Sequence, residues 1–283
     1  MSILSVQSQV VYGHVGHNAA MPAWHRLGFE VWAVPTVLFS NHPGHGSHEG
    51  IVIEPTLMRD LFEGLKNRVL LADCQGVHTG YFGDPSQIPA FVAALDWVKQ
   101  AHPSASYCCD PVIGDRETGI YVDPETAEKI KSALVPRADI VTPNSFELEY
   151  LTGIASSSTA DTLKAADALR AMGPELVIAT SVHCADRFPD GICTVAVTED
   201  EAWLCVQPII AHIPKGAGDL FAALIHARLL QQHSLGHALS LAATATQRIL
   251  ELSERAESDE LLVVEGARLI ETPNNPTEPI RLR

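Results

Sequence analysis

The chain has 283 residues, of which 46% are hydrophobic, enough to bury a large core within one α/β domain. Its 19 lysines and arginines stand against 34 aspartates and glutamates, which gives a formal net charge of −15. Such a charge repels nucleic acids and anionic lipids, which bind clustered basic residues, so an anionic ligand must be held by local features of the fold.

Cysteine usage and the N-terminal sequence predict a cytoplasmic protein. The six cysteines include no C-x-x-C pair, and several lie in apolar runs such as SYCCD, which favours reduced thiols. The N-terminal sequence MSILSVQSQVVYG lacks a basic leader with a long apolar segment. No window approaches the ~18 consecutive apolar residues that a membrane span needs, so we expect no membrane partner. The net charge of −15 leads us to expect no nucleic-acid partner.

Short apolar runs alternate with helical patterns over the first half of the chain. Strands are predicted at ILSVQS, FEVWAV, RVLLAD, SYCCD and ADIVTP, and helices at about 17–27, 56–66, 87–100 and 124–134. Strands that alternate with helices at this spacing predict right-handed βαβ units around a mainly parallel sheet. The expected fold class is doubly wound α/β with helices on both faces.

The pattern changes from about residue 175. The runs ELVIAT, GICTVAVT and EAWLCVQ are separated by short turns and can pair as an antiparallel edge of the same sheet. Two long helices are predicted at 217–232 and about 235–255, before an extended, proline-containing tail at 271–283. Because no repeat or low-complexity linker interrupts the sequence, we expect residues 1–283 to form a single domain.

Unusual polar residues follow the predicted strands at four places. These are CDPVIGD, TPNSFE, the pair Thr180-Ser181, and GAGD before the helix at 217–232. Because open parallel sheets bind ligands in the crevice outside the carboxyl ends of their strands, we expect the four places to converge on one site.

The sequence GAGD has features of an anion site. Gly216 and Gly218 let the backbone amides turn inward, and the first turn of the next helix carries unsatisfied N–H groups with a partial positive charge. Asp219 within this turn suits a general base that takes a hydroxyl proton while the amides hold a phosphoryl group. The alternative is a tight turn with an acidic residue at the helix start.

Four oxygen-bearing side chains follow two neighbouring strands: Asp110 and Asp115 after one, Asn144 and Glu147 after the other. Carboxylate and amide oxygens suit a hard cation such as Mg²⁺. Each has an ordinary alternative, since Asn144 with Glu147 fits a helix capping box and Asp-Pro is common turn chemistry.

Several motifs together resemble the pyridoxal kinases of the ribokinase-like superfamily. They are ILSVQSQVVYGHVGHNAA, HTGYFGD, CDPVIGDRETGIYV, ADIVTPNSFELEYLTG and GAGDLFAA, in the same order and at the same spacing. The resemblance runs from about residue 3 to 255. It implies transfer of the ATP γ-phosphoryl group to the 5′-hydroxymethyl group of pyridoxal, and usually of pyridoxine or pyridoxamine, in vitamin B6 salvage. It also implies Mg²⁺, a monovalent cation such as K⁺, and a homodimer.

The resemblance also implies roles for individual residues. Asp219 matches the catalytic base, and the amides of Gly216, Ala217 and Gly218 match the anion hole. Substrate positions match Ser8, Tyr81 and a substrate flap at about 36–53 that contains Pro43 and Gly44. Nucleotide and cation positions match Asp110, Thr142, Glu147 and Thr180, with Asp115 and Asn144 as further metal candidates, and the nucleotide is bordered by Gln207, Pro208, Ile209 and Ile210.

The flap is where the sequence departs most from the family pattern. Pro43, Gly44 and His45 stand where the family usually has a threonine-containing segment, so one contact to a substrate hydroxyl is expected to be absent. His42, His45 and His48 in this loop suit a flap better than a transition-metal site, because their spacing in a Gly-rich loop fixes no geometry. Two alternatives stay open: a hydroxymethylpyrimidine/pyridoxine kinase and a vitamer-binding protein without catalysis.

Overall fold

The computed structural model describes residues 1–66, 68 and 74–283. The strands within these residues are β1 (Ser2–Val10), β2 (Glu30–Phe39), β3 (Gly50–Val52), β4 (Cys74–Thr79), β5 (Ser106–Cys109), β6 (Gly114–Asp115), β7 (Gly119–Ile120), β8 (Ile140–Val141), β9 (Leu176–Val182), β10 (Gly191–Val197), β11 (Ala202–Pro208) and β12 (Ile280–Arg281). The α-helices are α1 (His17–Arg26), α2 (Pro55–Lys66), α3 (Gln87–Ala101), α4 (Pro124–Lys129), α5 (Ser145–Thr152), α6 (Thr159–Arg170), α7 (Ala217–Leu230), α8 (Leu235–Arg255) and α9 (Ala267–Glu271).

Ten of the described strands form one sheet in the order β12-β11-β10-β9-β8-β5-β4-β1-β2-β3. The six strands from β9 to β2 in this order run parallel to their neighbours. Strands β10 and β11 continue antiparallel at one edge, as the sequence predicts, and β12, which was not predicted, adds a further antiparallel strand from the tail. The doubly wound α/β fold is therefore confirmed, and the short exposed strand β3 adds an antiparallel edge on the opposite side that the sequence pattern did not indicate.

Helices pack on both faces of the sheet. Helices α1, α7 and α8 supply most of the helical residues of one buried cluster, and α3, α5 and α6 contribute to the other. Helix α7 is buried from Leu220 to Arg228, which explains why this segment is apolar all round rather than on one face. The indole Nε1 of Trp24 in α1 donates to the Ala223 carbonyl of α7 at 3.0 Å, so the two helices are joined by a polar contact as well as by packing.

Most predicted elements agree with the structure within a few residues. The predicted strand RVLLAD falls, apart from Arg68, on residues outside the described ranges, and the strand at this point of the fold is β4. Helices α5 and α6 were not among the predicted elements, although each begins at a residue whose side chain caps it, Asn144 for α5 and Ser158 for α6. Across the described part of the chain, no helix combines the length and the apolarity that crossing a bilayer requires.

The fold brings the carboxyl ends of parallel strands to one edge of the sheet. Strand β1 leads into the Gly-rich loop before α1, and β5 and β8 lead directly to Asp110 and Thr142. These two segments pair with their neighbours through backbone hydrogen bonds, from Asp110 to Thr79 at 2.9 Å and from Thr142 to Cys109 at 3.1 Å. The order of the strands therefore sets the polar residues side by side along a single crevice.

Candidate active site

The loop before α7 is held in a conformation that requires glycine. Gly216 has φ 92°, in the left-handed region, and forms the N-cap of α7. A Cβ atom at this position would lie 2.0 Å from the carbonyl oxygen of His14, so the loop after β1 approaches too closely for any side chain. This contact fixes the first turn of α7, which carries Asp219, against the loop that precedes α1.

The Asp219 carboxylate lies where the starts of two helices meet. Its Oδ2 accepts a hydrogen bond from the backbone N–H of Gly16, the N-cap residue of α1, at 2.9 Å. Gly16 in turn packs on Ser8, because a Cβ atom at Gly16 would lie 2.2 Å from the Ser8 Oγ. Ser8, Gly16 and Asp219 are thus neighbours in space although they come from the two ends of the chain.

Burial raises the pKa of Asp219 to about 6, while the hydrogen bond from Gly16 opposes the shift by favouring the carboxylate. A carboxyl group with this pKa is mostly ionised at neutral pH and yet basic enough to take a proton from a reacting hydroxyl.

The first turn of α7 leaves room for an anion. At Gly218, a Cβ atom would meet no heavy atom of the surrounding described residues within 4 Å, beyond its chain neighbours and its own helix. The backbone N–H groups at a helix start have no partner within the helix, and they carry the positive end of the helix dipole. The space above Gly218 can therefore hold a phosphoryl group against these donors.

Asp110 and Thr142 form the second part of the site. The Thr142 hydroxyl donates to Oδ1 of Asp110 at 2.9 Å, and both side chains are buried. Burial is the main cause that holds the pKa of Asp110 well above its usual range, and the carboxylates of Glu147 and Asp219 add to it. Three carboxyl groups thus lie close enough to repel one another, which is the environment that a divalent cation relieves.

Glu147 and Asn144 form the capping box that their spacing indicated as one alternative. The Glu147 carboxylate accepts from the backbone N–H groups of Asn144 at 2.9 Å, Ile113 at 2.8 Å and Gly114 at 3.4 Å. The Asn144 Oδ1 accepts from Phe146 and Glu147, and its Nδ2 donates to the Gly114 carbonyl at 2.8 Å. Burial raises the pKa of Glu147 to about 7 against these three donors. The pair therefore fixes the backbone at 113–114 beside Asp110.

The remaining nucleotide-side candidates lie on separate elements, which are the β6–β7 hairpin, β9 and β11 with the segment after it. Asp115 closes the hairpin of β6 and β7, where its Oδ1 accepts from the backbone of Thr118 at 2.7 Å, and its Oδ2 lies 3.9 Å from the Lys215 Nζ. Thr180 forms an isolated bridge with Asn144 at the end of β9.

At the end of β11, the Gln207 Nε2 donates to the Thr277 hydroxyl at 2.9 Å. In the segment that follows, Pro208 and Ile209 are exposed and Ile210 is buried.

The substrate-side candidates lie on β1, after β4 and in the flap. Ser8 is buried and Tyr81 is partly buried, with its backbone carbonyl held by the Thr36 hydroxyl at 2.7 Å. Pro43 and Gly44 lie in an exposed turn of the flap, which the His42 ring closes by accepting the Gly44 N–H at 2.9 Å. The flap histidine His42 therefore has a structural partner within its own loop.

Two residues of the site were missed by the sequence reasoning. Glu260 accepts from the backbone N–H of His14 at 2.8 Å, and its Oε1 lies 2.9 Å from the His45 Nε2, so it joins the loop after β1 to the flap. Tyr121 is 46% exposed, but its hydroxyl lies within electrostatic reach of the acidic groups: partial removal from water first, and then Glu147, Asp110 and Asp219, raise its pKa. Tyr121 lies in a motif that carried the family resemblance, whereas no local pattern marks Glu260.

Comparison with known proteins agrees with this geometry. The family model for phosphomethylpyrimidine kinase matches residues 32–261. The pyridoxal kinase PdxY of Deinococcus radiodurans is 44% identical over 280 residues, 97% of this chain and 94% of that protein. The PdxY of Rubrobacter xylanophilus is 40% identical over 274 residues, with 96% and 94% covered.

Solved structures give the same result. The pyridoxal kinase of Leishmania donovani in complex with ADP and pyridoxine superposes with a TM-score of 0.93 at 27% identity, covering 100% of this chain and 99% of that chain. The pyridoxal kinase of Trypanosoma brucei superposes with a TM-score of 0.86 at 26% identity, with 99% of each chain covered. The chain therefore belongs to the phosphomethylpyrimidine kinase family and, by its relatives over nearly the whole length, to the pyridoxal kinases within it.

Proposed function

We propose that this protein transfers the γ-phosphoryl group of ATP to the 5′-hydroxymethyl group of pyridoxal, which yields pyridoxal 5′-phosphate in vitamin B6 salvage. The observation that carries the proposal is the Asp219 carboxylate, partly buried at the meeting point of two helix N-termini and bonded to the Gly16 N–H at 2.9 Å. The related Leishmania enzyme has been crystallised with ADP and with pyridoxine or pyridoxamine, which supports both a nucleotide and a vitamer as ligands.

Asp219 acts as the general base in this mechanism. Its carboxylate takes the proton of the 5′-hydroxyl as the hydroxyl oxygen forms a bond to the γ-phosphorus, and the bond from that phosphorus to the β–γ bridging oxygen breaks. The products are the phosphate ester, ADP and a protonated Asp219, which returns its proton to solvent. Ser8, which packs against Gly16, orients the pyridine ring from its polar edge in this proposal.

The start of α7 acts as the anion hole. Gly216 sets the direction of the first turn, and in this proposal the N–H groups of Gly216, Ala217 and Gly218 point to the open space above Gly218. These donors are fixed before the reaction, so they stabilise the charge that grows on the migrating phosphoryl oxygens. Removing one donor from such a site costs about 2.7–4 kcal/mol of barrier.

The acidic residues around Asp110 fit a Mg²⁺ site. Mg²⁺ would neutralise phosphate oxygens of ATP in a protein whose net charge is −15. Asp110 and Thr142 would hold it, while Glu147 and Asn144 keep the backbone at 113–114 in place beside them. Asp115 and Thr180 complete the cation and phosphate surroundings in this proposal, with K⁺ as the monovalent cation.

The substrate end is covered by the flap and by Tyr81. Glu260 connects the flap to the loop that carries Gly16, so closing of the flap and placement of the base are mechanically linked. We further propose that the nucleotide is bordered by residues 207–210, and that the protein is a cytoplasmic homodimer.

A coupled assay that follows ADP release tests the function, with pyridoxal and hydroxymethylpyrimidine offered separately in the presence of Mg²⁺ and K⁺. We expect turnover with pyridoxal to exceed that with the pyrimidine. The second candidate, a hydroxymethylpyrimidine/pyridoxine kinase, is favoured by the matching family model alone, and preferential turnover of the pyrimidine would establish it instead. Binding of pyridoxal without any ATP consumption would indicate a vitamer-binding protein.

A further inference from the structure

Three potential metal ligands meet in the core beneath the active site. They are His78 on β4, Cys108 on β5 and His226 on α7, and all three side chains are fully buried. His78 and Cys108 are register partners on adjacent parallel strands, so their side chains point to the same face of the sheet. One ligand atom from each residue lies within 4.8 Å of the other two.

The ring nitrogens of the two imidazoles are poorly satisfied. Among the residues that the structure describes, neither ring nitrogen of His78 or His226 makes a hydrogen bond of normal geometry. The Ser106 backbone lies close enough to His226 to raise its pKa, against the larger lowering by burial. The two rings stack with their centroids 5.6 Å apart, and Trp24 packs edge-on to His78 at 5.0 Å. A buried polar group without a partner costs about 1–3 kcal/mol, so these neighbouring ring nitrogens destabilise the core unless they bind a ligand.

A metal ion would use these atoms. Imidazole nitrogen and cysteine sulfur are the ligands that Zn²⁺ and Cu(I) prefer, whereas Mg²⁺ prefers oxygen. Metal–ligand bonds of about 2.0–2.3 Å place neighbouring ligand atoms roughly 3.3–4 Å apart, so a bound ion would draw the three residues together by about 1 Å.

Charge distinguishes between these two ions. A thiolate and two neutral imidazoles around a monovalent ion make a neutral complex, whereas Zn²⁺ would leave one positive charge. The side chains packed against the cluster are apolar or aromatic, with Trp24 against His78 and Leu230 beside Gly76 on the same strand. The acidic groups that act on Cys108 are Asp110 and Asp139, and Asp139 is paired with Lys99 at 2.6 Å. An unpaired charge in such a place is costly, so the monovalent ion fits best.

We propose that His78, Cys108 and His226 form a binding site for Cu(I) that ties helix α7 to strands β4 and β5. On binding, a copper–sulfur bond replaces the S–H bond of Cys108, and the proton passes to solvent. Seven residues, or about 10.5 Å of helix, separate Asp219 from His226 along α7, and Cys108 precedes Asp110 by two residues, so the site lies beneath the catalytic pocket and adjoins it. Its effect is to fix the helix that carries the catalytic base.

The test is titration of the reduced protein with Cu(I) held by bicinchoninate, whose colour is lost as the protein takes the metal. Because the site is buried, the protein is loaded in two ways: during expression in copper-supplemented medium and by refolding with Cu(I). We expect one Cu(I) per chain, a rise of several degrees in melting temperature, and an X-ray absorption spectrum with one sulfur and two nitrogen neighbours.

Two variants and one matched control make the test specific. Cys108→Ala and His226→Leu should each weaken Cu(I) binding by about 100-fold or more. Cys205→Ala, at another fully buried cysteine outside the cluster, should bind as the wild type does. Circular dichroism and ADP release with pyridoxal check that each variant is folded.

Three outcomes would overturn the proposal. The first is equal Cu(I) affinity in wild type, Cys108→Ala and His226→Leu. The second is a protein that stays copper-free after both loading procedures. The third is preferential binding of Zn²⁺ with the same dependence on the three residues, which would overturn the choice of a monovalent ion.

Discussion

The Asp219 carboxylate accepts the N–H of Gly16 at 2.9 Å, although 203 residues separate the two in sequence. The bond joins the first turn of α7 to the N-cap of α1, and it supplies a donor that favours the ionised carboxylate in a buried place. The proposed catalytic base is thus held through its Oδ2, which leaves its other oxygen for a substrate hydroxyl.

Asp219→Asn should lower kcat by about 10²–10⁴-fold, the usual contribution of a general base. The amide oxygen can still accept the Gly16 N–H, so the geometry should survive while the basic oxygen is lost. Steady-state kinetics with pyridoxal measures kcat, and titration calorimetry should find ADP affinity unchanged. Activity equal to wild type would remove Asp219 from the role of base.

Turnover should decline as the pH falls through about 6, because the pKa of Asp219 is raised to about 6 and only the carboxylate accepts a proton. A pH profile of kcat from 5 to 8 should fall toward tenfold per unit below that value, and the residual rate of Asp219→Asn should lack this slope. A flat wild-type profile would contradict the assignment.

The raised pKa of Asp219 also affects the stability of the fold, and its effect on stability has the opposite pH dependence to its effect on turnover. A carboxyl group whose folded pKa is raised from 3.8 to about 6 binds its proton more tightly in the folded state. Its contribution to stability is full below about pH 4 and is lost as the pH rises through 6. The melting temperature of Asp219→Asn minus that of wild type should therefore be larger at pH 8 than at pH 4. Thermal unfolding of both proteins at the two pH values measures this difference.

Gly218→Ala and Gly216→Ala should separate catalysis from folding. Gly218 lies within α7 and faces open space, so alanine there should leave the protein folded, or more stable by up to about 1 kcal/mol. Its methyl group would crowd the phosphoryl site and lower kcat about tenfold or more. Gly216→Ala should instead destabilise the whole protein, because its Cβ would meet the His14 carbonyl at 2.0 Å. Urea unfolding and kcat of both variants check this contrast.

Asp110→Asn should stabilise the protein in the absence of Mg²⁺ and yet reduce kcat/KM. Burial and the carboxylates of Glu147 and Asp219 disfavour the Asp110 charge, so a neutral amide relieves the repulsion. Melting temperatures with EDTA and with Mg²⁺-ADP should show a higher value for the variant only in EDTA. The exposed Asp190→Asn serves as the control, and lower stability of Asp110→Asn in EDTA would contradict the expectation.

Glu260→Gln should raise KM for pyridoxal several-fold with smaller effects on kcat and on KM for ATP. The amide oxygen can still accept the His14 N–H, but the negative charge 2.9 Å from the His45 Nε2 is lost, so the flap is held less firmly. His45→Gln should have the same effect, and the double variant should add little to either change. Fully additive effects would show that the two residues act independently.

Local sequence patterns predicted the features that depend on neighbouring residues alone. Alternation of apolar runs with helical periods indicated the βαβ units, and the glycines of GAGD indicated a helix start with left-handed backbone, which Gly216 has with φ 92°. The spacing of Asn144 and Glu147 indicated either a capping box or metal ligands, and the structure shows the box. The pattern did not reveal α5 and α6, because α5 is short and neither helix has a wide apolar face.

The sequence by itself determined the parallel α/β sheet, the polar strand ends and the place of Asp219 on the first turn of α7. Only the tertiary structure decided which of these residues meet: Gly16 with Asp219, Glu260 with the flap, and His78 with Cys108 and His226. Backbone periods and turn preferences are properties of neighbouring residues and can be read from their order. Contacts between residues that lie tens or hundreds of positions apart depend on how the helices pack on the sheet, which no short segment encodes.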